Sequence, residues 1–137
     1  MIPDSVKRIG EYAFKGCSSL EQIELPSLLK QINQFMFCGC SSLKEIEIPS
    51  SVTKIQSYAF SDCSSLEKVI FPLELEKIGY GAFLSCSSIK KILLPASVVK
   101  IGRNAFKKCD SLAQITIPHS INPKEIGIED NVEVTTI

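Results

Sequence analysis

Six cysteines and a single histidine are the residues of this chain whose side chains could take part in redox, metal-binding or nucleophilic chemistry. A thiolate can bind zinc, form a disulfide or attack an electrophile, and histidine can act as a base or a metal ligand. Cys38 and His119 stand alone in the sequence. The other five residues recur every 23 positions, as Cys17, Cys40, Cys63, Cys86 and Cys109.

The same interval governs a column of aromatic residues, Phe14, Phe37, Phe60, Phe83 and Phe106. A fixed period of this length is typical of a solenoid, in which each repeat forms one coil stacked on the last. Stacked strands lie about 4.8 Å apart, so the parallel Cβ atoms of the cysteine column should have the same separation. That exceeds the roughly 3.5–4.5 Å usual in a disulfide. We therefore predict reduced, buried thiols that serve as small apolar core residues.

The two isolated residues give weak indications of chemistry. A redox-active thiol enzyme would have to use Cys38, whose repeat position is otherwise mostly solvent-facing: Lys15, Ser61, Leu84 and Lys107. The pair Cys38 and Cys40 is too short a pattern to indicate a zinc site. His119 follows a proline and is interpreted as a solvated turn residue. The sequence thus predicts no catalytic, cofactor-binding or metal residues, and no enzyme.

Composition and charge argue against several classes of partner. Hydrophobic residues make up 45% of the chain and charged residues 22%, which indicates a folded protein. Fifteen basic and fifteen acidic side chains give a net charge of zero, so no global field attracts nucleic acid or an anionic membrane. No apolar run is long enough for membrane insertion, and Met1 is not followed by a secretory signal. The chain begins partway through a repeat, so we expect the first coil to expose an apolar edge.

Each coil is predicted to contain two extended pieces. In the coil that begins at Leu43, Ile46 and Ile48 alternate across Glu47, as in a short strand with one buried face. Pro49 ends this strand because it has no N–H for a ladder. A second extended piece with its own buried residues follows.

A turn completes the coil. Glycine often opens it, at Gly10, Gly79 and Gly102, where we expect a backbone conformation that glycine eases. Further on, an apolar spacing of i, i+1 and i+4, as in Ala59, Phe60 and Cys63, predicts one short helical or 3-10 turn that packs inward.

The pattern holds through five coils and then changes. We assign residues 1–121 to the solenoid and residues 122–137 to a degraded C-terminal repeat or capping strand. A two-residue insertion at 122–123 is predicted, because the Ile-Gly pair at 126–127 lies 25 residues beyond the pair at 101–102. Acidic residues around Val132 and Val134 predict a polar-faced strand that closes the stack.

These motifs resemble the BspA-like, or treponeme-type, family of leucine-rich repeats. The resemblance covers residues 2–121 and depends on Leu20-x-x-Ile23-x-Leu25-Pro26, on Ile9-Gly10-x-x-Ala13-Phe14-x-x-Cys17 and on their copies. It implies an α/β curved solenoid with short parallel strands on its concave face. It also implies an adhesion-type protein, secreted or exposed at the cell surface of anaerobic bacteria or parasitic protists, that binds proteins or glycans on other cells. The family offers no shared catalytic residues.

Concave binding residues are predicted from the strand alternation. The residues that flank the central aliphatic position of each strand should face solvent, and the resulting pairs are Gln22/Glu24, Glu45/Glu47, Lys68/Ile70, Lys91/Leu93 and Gln114/Thr116. The early pairs are acidic and the later ones basic, which suits a partner of graded charge. Ile70 and Leu93 place two aliphatic side chains on a polar surface and are the first candidate hot spot.

Two further columns remain open to interpretation. Arg8, Lys54, Lys77 and Lys100 form a basic column, with Gln31 as the gap, that could hold a polyanion or be a solvated edge. An aromatic column of Tyr12, Phe35 and Tyr58 could be a sugar platform or half-buried packing. Because the two columns do not interleave, nucleic acid fits poorly.

The function predicted from these features is a non-catalytic adhesion or protein-binding module that uses the concave face. The partner would be a protein or glycan on another cell or matrix. The alternative is a structural or self-assembling fragment that associates through its uncapped N-terminal coil. No cofactor is predicted, and the sequence assigns no cellular compartment.

Overall fold

The structure is a computed structural model that describes residues 2–137, and over that range it contains nine short β-strands and no helix. None of the described residues therefore belongs to a helix that could cross a membrane. The strands are β1 (Gln31–Ile32), β2 (Glu45–Glu47), β3 (Lys54–Ile55), β4 (Lys68–Ile70), β5 (Lys77–Ile78), β6 (Lys91–Leu93), β7 (Lys100–Ile101), β8 (Gln114–Ile117) and β9 (Glu133–Thr136).

The strands stack as the two extended pieces of each coil, which confirms the predicted solenoid. One sheet has the order β1-β3-β5-β7, and the opposite extended pieces form two smaller sheets, β2-β4 and β6-β8-β9. Every pairing is parallel, and Ile32, Ile55, Ile78 and Ile101 are successive partners across the first sheet. Like residues therefore lie on like residues from coil to coil.

The core is a column of stacked phenylalanine rings enclosed by aliphatic residues. The rings of Phe37 and Phe60 have centroids 5.2 Å apart and are inclined by 7°, and the other neighbouring pairs are similar. Phe37 and Phe60 are fully buried, whereas Phe14 in the first coil is half-buried because only one coil covers it here. The first coil therefore exposes apolar surface, as expected.

The predicted helical or 3-10 turn is wrong. A helix needs successive amides that bond along its own axis, but here the amides alternate between two directions. The Cys17 amide bonds within its coil to the Phe14 carbonyl, whereas the Phe14 amide donates to Met36 in the next coil. Tyr12, with φ of 64°, also interrupts any helical run. Stacking explains the difference, since every second amide is used to join neighbouring coils.

The left-handed turn conformation occurs two positions later than predicted. Gly10, Gly79 and Gly102 do not have positive φ, whereas Tyr12 and the residues at its repeat position do. Two of the glycines are instead needed for close approach. A Cβ at Gly79 would lie 2.6 Å from the Ser57 amide nitrogen, and one at Gly102 would overlap the amide nitrogen of Tyr80. A Cβ at Gly10 would meet nothing within 4 Å.

The last coil is shortened, so the predicted two-residue insertion is wrong. β9 pairs with β8 so that Gln114 lies opposite Glu133, a separation of only 19 residues. The Phe106 amide donates to Ile126, which places Ile126 level with the turn of the preceding coil and not with Ile101. Lacking the Phe-x-x-Cys turn, this coil follows a shorter path and still buries Val132.

Candidate binding surface

The residues predicted to face solvent on the strands form a surface that we call the rung surface, from Gln22 to Thr116. β2, β4 and β6 expose their first and third residues, as the alternation predicts. Most of these residues lie beside partners on a neighbouring strand: Glu45 beside Lys68, Glu47 beside Ile70, Lys91 beside Gln114 and Leu93 beside Thr116. Gln22 and Glu24 are exposed but lie outside any strand, and Thr116 is half-buried.

A break in backbone pairing divides the rung surface at its centre. β2 pairs with β4 and β6 with β8, but no ladder joins β4 to β6 among residues 2–137. The break coincides with Phe71, a larger side chain than its counterparts in the other coils, which packs edge-on against Phe83 at 5.7 Å. Ile70 and Leu93 flank the break and are 45% and 58% exposed. The two predicted hot-spot residues thus lie where the sheet is least continuous.

The acidic part of the rung surface borders a shallow hollow. Its lining includes Glu24, Glu45 and Glu47, with Lys68 and Ile70 at one end. Three carboxylates in one concavity give it negative potential, while Lys68 lies at its end and Lys91 is exposed beyond it. The predicted change from acidic to basic along the rungs is therefore present in the arrangement of exposed side chains.

The polar-faced closing strand predicted near Val134 is present as β9, and it extends the rung surface by a sixth pair of outward-facing residues that was not among the predicted binding residues. β9 adds Glu133 and Thr135 beside Gln114 and Thr116, and Gln114 Nε2 lies 3.5 Å from the Glu133 carboxylate. The alternation of Glu133, Val134 and Thr135 was a usable signal, but the irregular spacing of the last coil obscured its register. The rung surface therefore ends on a carboxylate.

The aromatic column is a packed stack. Ring centroids lie 5.0 Å apart for Tyr12 and Phe35 and 4.9 Å apart for Phe35 and Tyr58, with nearly parallel planes. Tyr80, which the sequence analysis did not include, covers Tyr58 at 5.4 Å with a tilt of 60°. Both faces of the Phe35 ring are covered, so the sugar-platform interpretation does not hold for it, since a sugar stacks on an open ring face.

The cysteine column lies inside the core. The Sγ atoms of Cys40 and Cys63 each donate to the phenylalanine carbonyl of the preceding coil, Phe14 or Phe37, at 3.1 Å. Cys86 and Cys109 make the equivalent contacts. Burial raises the pKa of Cys40 to about 11 and that of Cys109 to about 12, because an apolar environment disfavours the thiolate. These thiols act as packed hydrogen-bond donors.

Cys38 is less exposed than predicted, and its environment does not activate it. It is half-buried, and Ser61 in the same column is only 3% exposed, because coils on both sides cover the middle of this column. Burial raises the pKa of Cys38, the Asp62 carboxylate raises it further, and Lys15 opposes them. A nucleophilic cysteine needs the opposite shift. His119 is exposed, and its backbone amide donates to the Ile137 carbonyl.

Thiol labelling of the folded protein tests this description. At pH 8 we expect Cys63 and Cys86 to remain unlabelled by an aromatic disulfide reagent and Cys38 to react more slowly than a free thiol. Asp62→Asn should raise the labelling rate of Cys38 several-fold, because the carboxylate no longer opposes thiolate formation. Rapid labelling of Cys38 in the unmodified protein would restore the redox hypothesis. Unfolded protein in urea, in which all six thiols react, is the control.

Comparisons with known proteins agree with this architecture. The profile of the BspA type leucine-rich repeat region matches residues 1–113, in six copies. No curated protein matches the chain significantly. The crystal structure of a leucine-rich-repeat protein from T. pallidum is similar, with 34% identity, a TM-score of 0.87, and coverage of 96% of this chain and 64% of that one.

Two other solved structures are also similar. The pneumococcal vaccine antigen PcpA has 27% identity and a TM-score of 0.75 over 85% of this chain and 31% of its own. A leucine-rich cell surface protein from Faecalibacterium prausnitzii has 34% identity and a TM-score of 0.59, over 82% and 37%. The chain thus spans less than two thirds of the length of each of these proteins. With the repeat motif matched over most of its length and the stacked parallel coils in place, the chain belongs to the BspA-type leucine-rich-repeat family.

Proposed function

We propose that the chain is a non-catalytic module that binds a protein partner through the rung surface, the concave face expected for this family. Ile70 and Leu93 are the main support for the proposal, because they expose aliphatic side chains on the two sides of the break between β4 and β6, on an otherwise polar surface. A contact hot spot typically combines such an apolar centre with a polar rim that excludes water. Lys68 and Lys91 supply that rim on the same two strands.

The charges around this centre specify the chemistry of the partner. The hollow with Glu24, Glu45 and Glu47 favours basic groups, whereas Lys68 and Lys91 favour acidic groups. The partner should therefore present an apolar contact between a basic and an acidic region. Repeat proteins of this family are commonly used in protein binding, and one similar solved structure is that of a cell surface protein. We accordingly propose an adhesion role, with a protein or a glycan-bearing protein on another cell or matrix as the partner.

The test is a double substitution at the apolar centre. A pull-down with the folded chain identifies the partner, and interferometry then measures its affinity. We expect Ile70→Asp with Leu93→Asp to weaken binding by about 30-fold or more, because both hot-spot contacts are lost and carboxylates are placed beside the acidic hollow. The matched control is Leu73→Asp with Val99→Asp, which changes two aliphatic residues, 81% and 68% exposed, outside these strands. Equal affinity of the test variant and the unmodified chain would contradict the proposed surface.

A second candidate function is self-association through the first coil. It is supported by Phe14 and Cys17, which are only half-buried. Both residues have fully buried counterparts in the second coil, Phe37 and Cys40. Light scattering of this chain over a concentration series distinguishes the two candidates. A molar mass that rises with concentration supports assembly, whereas a constant monomer mass contradicts it.

A further inference from the structure

A row of like charges follows the first sheet, away from the rung surface. β3, β5 and β7 each begin with a lysine, and the register places Lys54 beside Lys77 and Lys77 beside Lys100. All three side chains are exposed. Because paired strands lie about 4.8 Å apart, three ammonium groups are anchored one strand spacing apart. We call this feature the lysine row.

Such a row is electrostatically unfavourable in the free protein. Like charges directly opposite each other on neighbouring strands destabilise a sheet, whereas opposite charges stabilise it. Another column of this chain follows the favourable rule, since its signs alternate from coil to coil through Glu21, Lys44, Glu67 and Lys90. The lysine row does not alternate, so a bound anion would remove repulsion as well as add attraction.

The neighbouring columns supply little negative charge to the lysine row. The column immediately before it contains one carboxylate, in the series Lys30, Thr53, Glu76 and Val99. The column two positions after it contains none, in the series Asn33, Gln56, Gly79 and Gly102. The positive potential of the row is therefore opposed on these two sides by Glu76 alone.

A hollow extends the same positive region along the solenoid axis. Its lining includes Lys7, Arg8 and Lys30, together with Glu11 and with Gln31, which is the β1 partner of Lys54. The cationic groups of the hollow and of the lysine row thus lie on successive coils along one side of the stack. The matching ligand is long and narrow and carries anionic groups in series.

We propose that the lysine row and this hollow bind an extended anionic polysaccharide, with sulfate or carboxylate groups, laid along the solenoid axis. Recognition is by charge, since the stacked rings of Tyr12, Phe35 and Tyr58 do not offer the series of open faces on which the bases of a single-stranded nucleic acid stack. A single narrow row also differs from the broad basic patch that an anionic membrane engages. This site is independent of the proposed protein-binding surface.

The experiment uses heparin as the sulfated polysaccharide and measures its affinity for the whole chain at low and physiological salt. We expect the triple variant Lys54→Gln, Lys77→Gln and Lys100→Gln to lose affinity about tenfold or more, because three charge-assisted contacts are removed. The matched control is Lys90→Gln, Lys108→Gln and Lys124→Gln, which removes the same charge from exposed positions outside both proposed surfaces and should change the affinity less than about twofold. Glu76→Gln should bind more tightly than the unmodified chain.

Other outcomes decide against the proposal. Equal losses in the two triple variants would show that net charge, and not the row, governs binding. No binding of heparin by the unmodified chain at low salt would also overturn it. Single-stranded DNA or vesicles containing phosphatidylserine that bind as tightly, with the same loss in the row variant, would exclude a polysaccharide as the specific occupant. The unfolding midpoint of the row variant without ligand should rise, and a fall would contradict the repulsion within the row.

Discussion

Phe60→Ala is expected to reduce the free energy of unfolding by about 4 kcal/mol, because it leaves a cavity in the middle of a close-packed core. The Phe60 ring is fully buried, with its faces covered by Phe37 at 5.2 Å and Phe83 at 5.1 Å. Its loss breaks the stack into two halves, and neither half can recover the contact from elsewhere. Urea denaturation followed by circular dichroism measures the change.

Phe14→Ala is the matched control for this prediction. Phe14 belongs to the same column but is half-buried, and the ring of Phe37 stacks on one of its faces. We expect a loss of roughly 2 kcal/mol, since less surface returns to water. If Phe14→Ala and Phe60→Ala lowered the free energy of unfolding equally, the central coils would not be more deeply buried than the first coil, and this description of the core would be wrong. A broader transition for Phe60→Ala would indicate that the two halves unfold separately.

Gly102→Ala is expected to destabilise the protein by about 2–3 kcal/mol, because the new methyl group would overlap backbone that cannot move aside easily. The Cβ would meet the amide nitrogen of Tyr80 in the preceding coil. The Gly102 amide also donates to the Ile78 carbonyl at 2.7 Å, so separating the coils would strain a bond of the ladder. Thermal and urea unfolding of the variant measure the effect.

Gly10→Ala is the control, since Gly10 occupies the same repeat position in the first coil. A Cβ there meets nothing within 4 Å. Alanine should therefore be neutral or stabilise the protein by roughly 0.5 kcal/mol, because it restricts the unfolded chain. If Gly102→Ala were as harmless as Gly10→Ala, the close approach of the last coils would be wrong.

The solenoid was predictable because apolar residues recur at a fixed interval, and a core of stacked coils accounts for that recurrence. Phe60 and Cys63 recur at one interval, and their burial follows from that interval alone. The helical turn was not predictable in the same way. A local apolar spacing of i, i+1 and i+4 suits a helix, but the amides of Phe14 and Gly16 are needed by the next coil. Long-range pairing overrode local preference.

The candidate site was predictable only in part. Alternation identified Ile70 and Leu93 as outward-facing residues, and both are exposed. The break between β4 and β6 was not predictable, because it concerns how neighbouring strands approach each other. The closing strand was predicted, but its register, with Glu133 beside Gln114, was not, because the spacing of the last coil departs from the repeat.

The repeat, the core residues and the outward-facing residues of the strands follow from the amino-acid order, because side-chain direction along a strand depends on local alternation and period. The need for glycine at particular turns, the position of the break in the sheet and the closure of the last coil depend on how whole coils pack. Gly10 and Gly102 look alike in sequence, but the distance to the neighbouring coil differs between them. The packing of whole coils sets the distance between each glycine and the neighbouring coil, so this distance cannot be predicted from the local sequence.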